Sequence, residues 1–372
     1  MGCTLLPKGV SNFFNAAEIG DWLAVSNRFE TFVRPETYGT AIPELRNELW
    51  APIHETLGLY EVWVGWKRNS SMLRMFYTPI LSTMPKGSVY FGGTEQGRFV
   101  ITAVNAVTNQ QGIFCLTQNA LADNTYLDHL RAVYGKDLWI PNYEDSNKAM
   151  ERYVREVQAG TRRAKDGVRF KDGKVTVSGA EDVMQLNGIL CEMIVDHNKG
   201  SREFFVEESW VLAWMYPHLE PHGLIMKLNP SPLDKLSEQT VKDDREFWAD
   251  YEKRLGSDPD YASNVEAQKA FSKLRTAIAG IYVYRKMYKE AEAGFRQAIR
   301  LCPVLPDSSF RLAGMFEEQG RIEEAIAVMT DYLKNAPPDP KGKAEGYMKQ
   351  LKAKIHLGAV SQAATPPAGV DR

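Results

Sequence analysis

The spacing of apolar residues is most regular between residues 272 and 339. Two 34-residue units, 272–305 and 306–339, can be superposed there. Both carry apolar or aromatic residues and a closing proline at the same offsets. In the first unit these are Ile278, Ala279, Tyr282, Ala291, Phe295, Ala298 and Pro303, and in the second they are Leu312, Ala313, Phe316, Ala325, Met329, Tyr332 and Pro337. The spacing predicts two helical hairpins, in which small residues allow close helix approach and proline ends the second helix.

This arrangement is the pattern of the tetratricopeptide repeat. Two such repeats are fewer than the roughly three that are usually stable alone, so we expect flanking support from residues 264–271 and from a capping helix at 347–355. The matched positions belong to the core, and the repeats would offer a partner their concave face. Beyond residue 356 the chain is small and proline-rich, which predicts a disordered tail.

Upstream of residue 272, short apolar runs alternate with segments in which apolar residues have helical spacing. Runs at 88–91 and 112–117 predict strands, each followed by a helix, at 94–107 and 124–134. Strand and helix in alternation indicate a βαβ unit and a parallel sheet. Asp172 and Gly173 separate two alternating runs in the order that a type I′ hairpin prefers. Further runs at 203–206 and 223–228 predict two more strands, of which the second closes the module.

These patterns predict an α/β module with a mainly parallel sheet and one β-hairpin, followed by an all-α segment of tetratricopeptide repeats. No period persists through the first 85 residues. The predicted division is therefore an irregular, partly helical N-terminal segment at 1–85, the α/β module at 86–229, a helical linker at 230–271, two repeats with a capping helix at 272–356, and the tail at 357–372.

Composition narrows the classes of function. The chain has 372 residues, 45 basic against 47 acidic, and a formal net charge of −2, so no global basic field favours nucleic acid. No apolar run reaches the length of a membrane helix, and the N-terminus lacks a hydrophobic signal core. We therefore expect no direct membrane insertion, and a soluble chain that is cytoplasmic by default.

Metal and cofactor chemistry is not indicated either. The six histidines are scattered and form no ligand set. The cysteines are also isolated, which favours buried thiols over a disulfide scaffold or a zinc site. They are Cys3, Cys115, Cys191 and Cys302. We expect neither a cofactor nor a metal.

The strongest candidate for ligand binding follows the first predicted strand. It comprises Gly92, Gly93, Thr94, Gly97 and Arg98. Glycines let backbone amides approach a ligand, a helix N-terminus favours negative charge, and arginine adds a bidentate donor, so the natural ligand is a phosphate or sugar phosphate. In the alternative interpretation, Thr94 caps the helix and Arg98 pairs with a neighbouring acid.

Polar residues also follow the second predicted strand. Asn119, Asp123 and Asn124 would face the glycine loop, because the carboxyl ends of parallel strands share one edge of the sheet. Alternatively, Asp123 or Asn124 caps the next helix. Further polar groups near this edge, Glu207 with Glu208 and the histidines at 218 and 222, are more typical of structural or solvent-facing side chains. No catalytic motif is present, so we assign no catalytic residue.

Several segments resemble a known family. Residues 85–100, 117–126, 139–141, 204–210 and 219–228 are similar to the soluble C-terminal part of bacterial membrane proteins related to the transmembrane protein O-mannosyltransferase family, of the GT-C glycosyltransferase type. The resemblance covers 84–336 and implies an extracytoplasmic domain. In that family the catalytic acid and the lipid-linked donor belong to the membrane part, so the resemblance supplies no catalytic residue here.

Together these observations favour a non-catalytic accessory module. Its repeats would bind a polypeptide, and the resemblance adds the membrane part of a larger protein as a partner. The alternative is a sugar- or phosphate-handling enzyme, related to glycosyltransferases, that uses the glycine loop at 92–98.

Overall fold

A computed structural model describes residues 8–33, 50–108, 112–162, 168–171, 174–177, 179–339 and 341–363. Contacts divide the chain into two units, Met1–Asp234 and Lys235–Arg372. Within the described ranges, no helix combines the length and the apolar character that crossing a membrane requires.

The described residues among the first 85 are mainly helical. The helices are α1 (Lys8–Glu18), α2 (Trp22–Val33), α3 (Trp50–Gly65) and α4 (Ser70–Thr83). Val10, Phe13, Val25, Ile53 and Leu57 form a buried cluster between the first three. The sequence predicts helix here only in part, because α3 carries apolar residues on several faces and presents no single period.

Five strands form one sheet in the described part of the chain. They are β1 (Val89–Gly92), β2 (Phe114–Thr117), β5 (Phe204–Glu207), β6 (Leu219–His222) and β7 (Ile225–Leu228). The order is β2-β1-β5-β7-β6; β1 is parallel to β2 and β5, and β7 is antiparallel to β5 and β6. All strands but β7 therefore share one direction, as predicted for a mainly parallel sheet.

The hairpin of β6 and β7 differs from the prediction of a single closing strand. A turn containing Gly223, whose φ is 63°, connects the two strands. Strand β6 includes Pro221 and lies at the edge of the sheet, where proline removes no internal ladder bond. Because proline and charged residues are uncommon in strands, the sequence gives no clear signal for β6.

The helices predicted after the first two strands form, and two further helices follow them. A π-helix (Gln96–Val100) leads into α5 (Ile101–Thr108), and α6 (Asn124–Tyr134), α7 (Tyr143–Gln158) and α8 (Ala180–Asn198) follow. The predicted hairpin forms a separate sheet of β3 (Val168–Lys171) and β4 (Lys174–Val177), with Lys171 opposite Lys174. Its two turn residues, Asp172 and Gly173, lie outside the described residues.

The second unit is all-α where it is described. It comprises α9 (Glu238–Gly256), α10 (Val265–Tyr284), α11 (Tyr288–Leu301), α12 (Pro306–Glu318), α13 (Ile322–Asn335) and α14 (Lys343–Ala363). Helices α10 and α11 pack as one pair, and α12 and α13 as another. The helical positions that the 34-residue pattern matched are all buried. A Cβ added at Gly294 would lie 3.0 Å from the Cβ of Ala279, so a small residue is needed there.

Two boundaries differ from the predicted division. Helix α9, expected as part of a linker, belongs to the second unit, because Asp244 and Trp248 are buried and Asp244 forms an ion pair with Arg275 of α10. Helix α14 continues past residue 356 to Ala363, into the segment predicted to be disordered. Small residues such as alanine occur in helix as well as in coil, so a run of them does not by itself predict disorder. Residues 364–372 lie outside the described residues.

Candidate functional site

The carboxyl ends of three parallel strands meet at one edge of the sheet. Gly92, the last residue of β1, lies between Thr117 of β2 and Glu207 of β5. The segments that follow these strands therefore come together, as the parallel topology predicts.

The carboxylate of Glu207 occupies the glycine loop. Its side chain is 0% exposed. Oε2 accepts hydrogen bonds from the backbone N–H of Thr94 at 3.1 Å and of Gly93 at 3.3 Å, and Oε1 accepts from the Thr94 hydroxyl at 2.6 Å. The hydrogen-bond donors of the loop are therefore satisfied by an internal carboxyl group.

The neighbouring acid, Glu208, is buried as well. One carboxylate oxygen accepts a hydrogen bond from the backbone N–H of Trp210 at 2.8 Å, and the other accepts from Nε2 of Gln118 at 3.2 Å. Gln118 is fully buried and follows β2 directly. Of the structural or solvent-facing roles expected for these acids, the structure shows the structural one, because they connect the ends of β1, β2 and β5 inside the unit.

Two glycines make room for the acids. A Cβ at Gly93 would lie 1.8 Å from Oε2 of Glu208, and a Cβ at Gly97 would lie 1.6 Å from Oε2 of Glu207. Real side chains never approach so closely. The glycine pattern therefore serves close packing of internal carboxylates at these two positions.

Burial weakens the acidity of both groups. Burial, helped by the charge of Glu208 and opposed by hydrogen bonds from Thr94 and Gly93, raises the pKa of Glu207 to about 7. Burial also raises the pKa of Glu208. Among the described residues neither carboxylate forms an ion pair. Because a buried charge without a partner is costly, burial favours the protonated form of Glu207 up to about pH 7.

The other predicted residues of the loop have structural partners. The Thr94 hydroxyl accepts a hydrogen bond from the N–H of Gly97 at 3.1 Å, and Nη2 of Arg98 lies 3.3 Å from Oε1 of Glu95. Asn119 donates to the carbonyl of Gly93 at 3.1 Å. These are the contacts of the alternative interpretation, with a capped helix start and a paired arginine.

The residues that begin α6 also act locally. Asp123 accepts a hydrogen bond from the backbone N–H of Thr125 at 2.8 Å and is the N-cap of α6, of which Asn124 is the first residue. Asp123 therefore has the capping role of the alternative interpretation, whereas Asn124 belongs to the helix itself.

Helix α3 contributes polar groups that sequence reasoning missed. Burial lowers the pKa of His54, Arg98 lowers it further, and Asp123 raises it, so His54 lies near both predicted site residues. Burial raises the pKa of Glu55 to about 7. Burial raises the pKa of Glu61, and Glu95 raises it further. Because α3 shows no clear period, the sequence gives no signal that would place it here.

No protein-family model matches this chain, and a search of curated proteins finds no match. Assignment of a function therefore rests on the geometry of the chain itself.

The histidines near the closing strands and the buried cysteines do not extend the site. Nδ1 of His218 lies 2.9 Å from the carbonyl of Asn229, and Nε2 of His222 lies 3.3 Å from that of Thr83. Burial raises the pKa of the Cys115 thiol to about 12, which makes it a poor nucleophile. In the described part of the chain, no group of three or more histidines, cysteines or acids is placed to hold a metal ion.

A second candidate lies in the helical unit, between α11 and α13. This cleft has a volume of about 250 Å³. Its floor is apolar, and charged side chains stand at its rim. The floor includes Ile299, Leu312, Val328 and Tyr332, and the rim includes Arg296 and Asp331.

The first helices of the two pairs are less accessible. Every residue of α10 from Leu274 to Tyr282 is buried. On α12, Tyr347 from α14 stacks on Phe310 with ring centroids 5.5 Å apart, and its hydroxyl donates to Glu317 at 2.7 Å. The first helices of the two pairs are therefore largely covered by other side chains of the chain.

Proposed function

We propose that this chain is a non-catalytic interaction module, whose helical unit binds a polypeptide through the cleft between α11 and α13. The two helix pairs are tetratricopeptide repeats in this proposal. Two observations support that assignment: the repeated spacing of small and large residues, and the burial of the matched helical positions.

The chemistry of the cleft favours a polypeptide partner. Its volume, about 250 Å³, lies below the roughly 300–1,000 Å³ typical of small-molecule pockets. It suits a single large apolar side chain, the kind of anchor that carries most of the energy in protein interfaces. The rim charges are already paired, since Arg296 lies 2.9 Å from Glu292 and Asp331 lies 2.8 Å from Lys334. Apolar contact with the floor is therefore the main attraction.

The enzyme alternative has less support. A phosphate in the glycine loop would need the amides of Gly93 and Thr94, which already donate to Glu207. It would also need Arg98, which is paired with Glu95. The resemblance to proteins related to the transmembrane protein O-mannosyltransferase family stays a prediction; in that setting, the module would hold an acceptor polypeptide near a membrane enzyme.

A peptide display library selected on the full chain would test the proposal. We expect the enriched peptides to share one large apolar residue and to bind with a saturable affinity in fluorescence polarisation. The informative variant is Ile299→Trp, because Ile299 is half-buried at the cleft and an indole there would fill the space. We expect it to weaken peptide binding at least about tenfold, the effect of losing about 1.4 kcal/mol.

The matched control is Ile326→Trp. Ile326 is half-buried on α13 but does not line the cleft, so the same substitution should leave binding unchanged. Thermal unfolding of both variants would establish that each is folded. Equal binding by wild type and Ile299→Trp, or the absence of any enriched peptide, would overturn the proposal.

A further inference from the structure

A pocket lies at the opposite edge of the sheet from the buried acids. Its volume is about 330 Å³, and it is formed by residues 85–88, which lead into β1, and residues 199–203, which lead into β5. It is therefore separate from the glycine loop, which follows β1.

Two basic side chains line this pocket without a carboxylate partner among the described residues. They are Lys86, which is exposed, and Arg202, which is half-buried. The Arg202 guanidinium lies 4.8 Å from the Phe114 ring centroid, and it donates to the carbonyl of Asp137 at 2.8 Å and to that of Gly87 at 3.4 Å. Such contacts hold the side chain in place and leave further N–H donors for a ligand.

The acidic side chain at the pocket is already neutralised. Glu203 lines the pocket, but its carboxylate lies 2.6 Å from the ammonium of Lys227. Lys199 is paired in the same way with Asp196, at 2.9 Å. Lys86 and Arg202 therefore leave the pocket with a local excess of positive charge, although the chain as a whole carries −2.

The backbone supplies further donors. Gly87 has a φ of 80°, a conformation that residues other than glycine rarely adopt. It belongs to a tight turn in which the N–H of Ser88 donates to the carbonyl of Pro85 at 3.2 Å. Within the described residues, the backbone N–H groups of Gly87 and Gly200 donate to no protein acceptor. Both N–H groups are therefore available to a ligand that accepts hydrogen bonds.

We propose that this pocket binds a phosphate group, carried by inorganic phosphate or by a small phosphate monoester. Lys86 supplies a point charge, Arg202 supplies a fixed fork of donors, and the amides of Gly87 and Gly200 complete the site. The proposal stands independently of the polypeptide-binding function, since it concerns another unit and another kind of ligand.

The test is a titration of the full chain with inorganic phosphate and, separately, with glycerol phosphate. Isothermal titration gives the affinity, and selective ¹⁵N labelling of glycine reports which backbone amides respond. We expect saturable binding and shifts at Gly87 and Gly200. Tighter binding of glycerol phosphate would identify a monoester as the preferred form, and equal or weaker binding would identify free phosphate.

Variants that remove a positive charge test whether Lys86 and Arg202 bind the phosphate. Lys86→Gln removes an exposed charge, and we expect it to weaken binding about tenfold; Arg202→Gln should weaken it at least as much. Lys67→Gln with Arg74→Gln is the matched control, because both residues are exposed in the first unit and do not line the pocket. An equal loss in this control, shifts confined to Gly92, Gly93 and Gly97, or no saturable binding would each overturn the proposal.

Discussion

The hydroxyl of Thr94 donates a hydrogen bond of 2.6 Å to the carboxylate of Glu207, which lies 113 residues further along the chain. The bond joins the loop after β1 to the last residue of β5. Because Glu207 also accepts from two backbone amides, the conformation of the glycine loop depends on an acid that the sequence places far away. The protonation of one buried group is thereby coupled to the structure of the sheet edge.

A first prediction concerns pH. Burial raises the pKa of Glu207 from 4.5 to about 7, so between these values the folded state holds a proton that the unfolded state has lost. The free energy of unfolding should therefore fall as pH rises from about 4.5 to about 7. Glu207→Gln should flatten this dependence by up to about 3 kcal/mol, measured by urea unfolding between pH 5 and pH 8.

In Glu207→Gln, the pH dependence of the free energy of unfolding should be reduced and not abolished, because burial also raises the pKa of Glu55 to about 7. Glu151→Gln, on the exposed side of α7, is the control and should keep the wild-type profile. A Glu207→Gln profile as steep as that of the wild type would contradict the assigned environment of this acid.

A second prediction concerns Gly97, which packs against the carboxyl group of Glu207. Gly97→Ala would place a Cβ 1.6 Å from Oε2 of Glu207 and should destabilise the fold by at least about 3 kcal/mol, the range of severe buried overpacking. Gly200→Ala is the control, since a Cβ added there would meet no atom within 4 Å. Combining Gly97→Ala with Glu207→Ala should recover part of the loss. Two additive losses in urea unfolding would show that the clash is not the cause.

The sequence predicts which strands meet at this edge of the sheet, but it does not predict that a carboxyl group fills the glycine loop. The predicted strands at 88–91 and 112–117 place the glycine loop beside Asn119, and the donation from Asn119 to Gly93 follows from that topology. The anion itself could not be predicted. Two consecutive acids after a strand are as typical of a wet loop as of a buried pair, and only the packing of Gly93 and Gly97 distinguishes the two.

Helical periodicity explains where the prediction succeeds in the second unit. In α12, residues such as Leu312 and Phe316 recur on one buried face, so one period identifies the element. In α3, buried Ile53 and Val62 share the helix with half-buried His54 and Glu55, and no single face emerges. The proximity of His54 to Arg98 and Asp123 arises from tertiary packing, and no local sequence pattern indicates it.

A third prediction uses the turns of the two helix pairs. Lys286 and Gly320 occupy equivalent positions, with φ values of 57° and 74°, and their N–H groups donate to Val283 and Glu317 at 2.9 and 3.0 Å. A side chain in this left-handed region costs about 1–2 kcal/mol. Lys286→Gly should therefore stabilise the unit by about 0.5–1 kcal/mol after the greater flexibility of the unfolded glycine is included.

The equivalent turn provides the opposite test. Gly320→Ala should destabilise the unit by about 1 kcal/mol, since it introduces the strain that Lys286 already carries. Both effects are measurable as shifts of the urea midpoint at constant slope. Destabilisation by Lys286→Gly would mean that the lysine side chain makes a compensating contact.

A fourth prediction concerns the ion pair that attaches α9 to α10. Nη1 of Arg275 lies 3.0 and 2.9 Å from the two carboxylate oxygens of Asp244, and the Tyr282 hydroxyl donates to the same carboxylate at 2.8 Å. Both charged side chains are almost fully buried, at 4% and 2% exposure. Asp244→Ala leaves the guanidinium without its partner and should cost about 3–5 kcal/mol in the free energy of unfolding.

The double variant decides how that loss arises. Replacing Asp244 by Ala and Arg275 by Met removes both charges, and methionine retains apolar contact with Trp248, over whose ring the guanidinium lies at 5.2 Å. Because desolvation offsets most of the attraction within a buried pair, the double variant should be more stable than Asp244→Ala alone by about 1–3 kcal/mol. A double variant less stable than either single variant would show that α9 is held mainly by packing of the arginine stem. The charge pair would then be secondary in attaching this helix to the second unit.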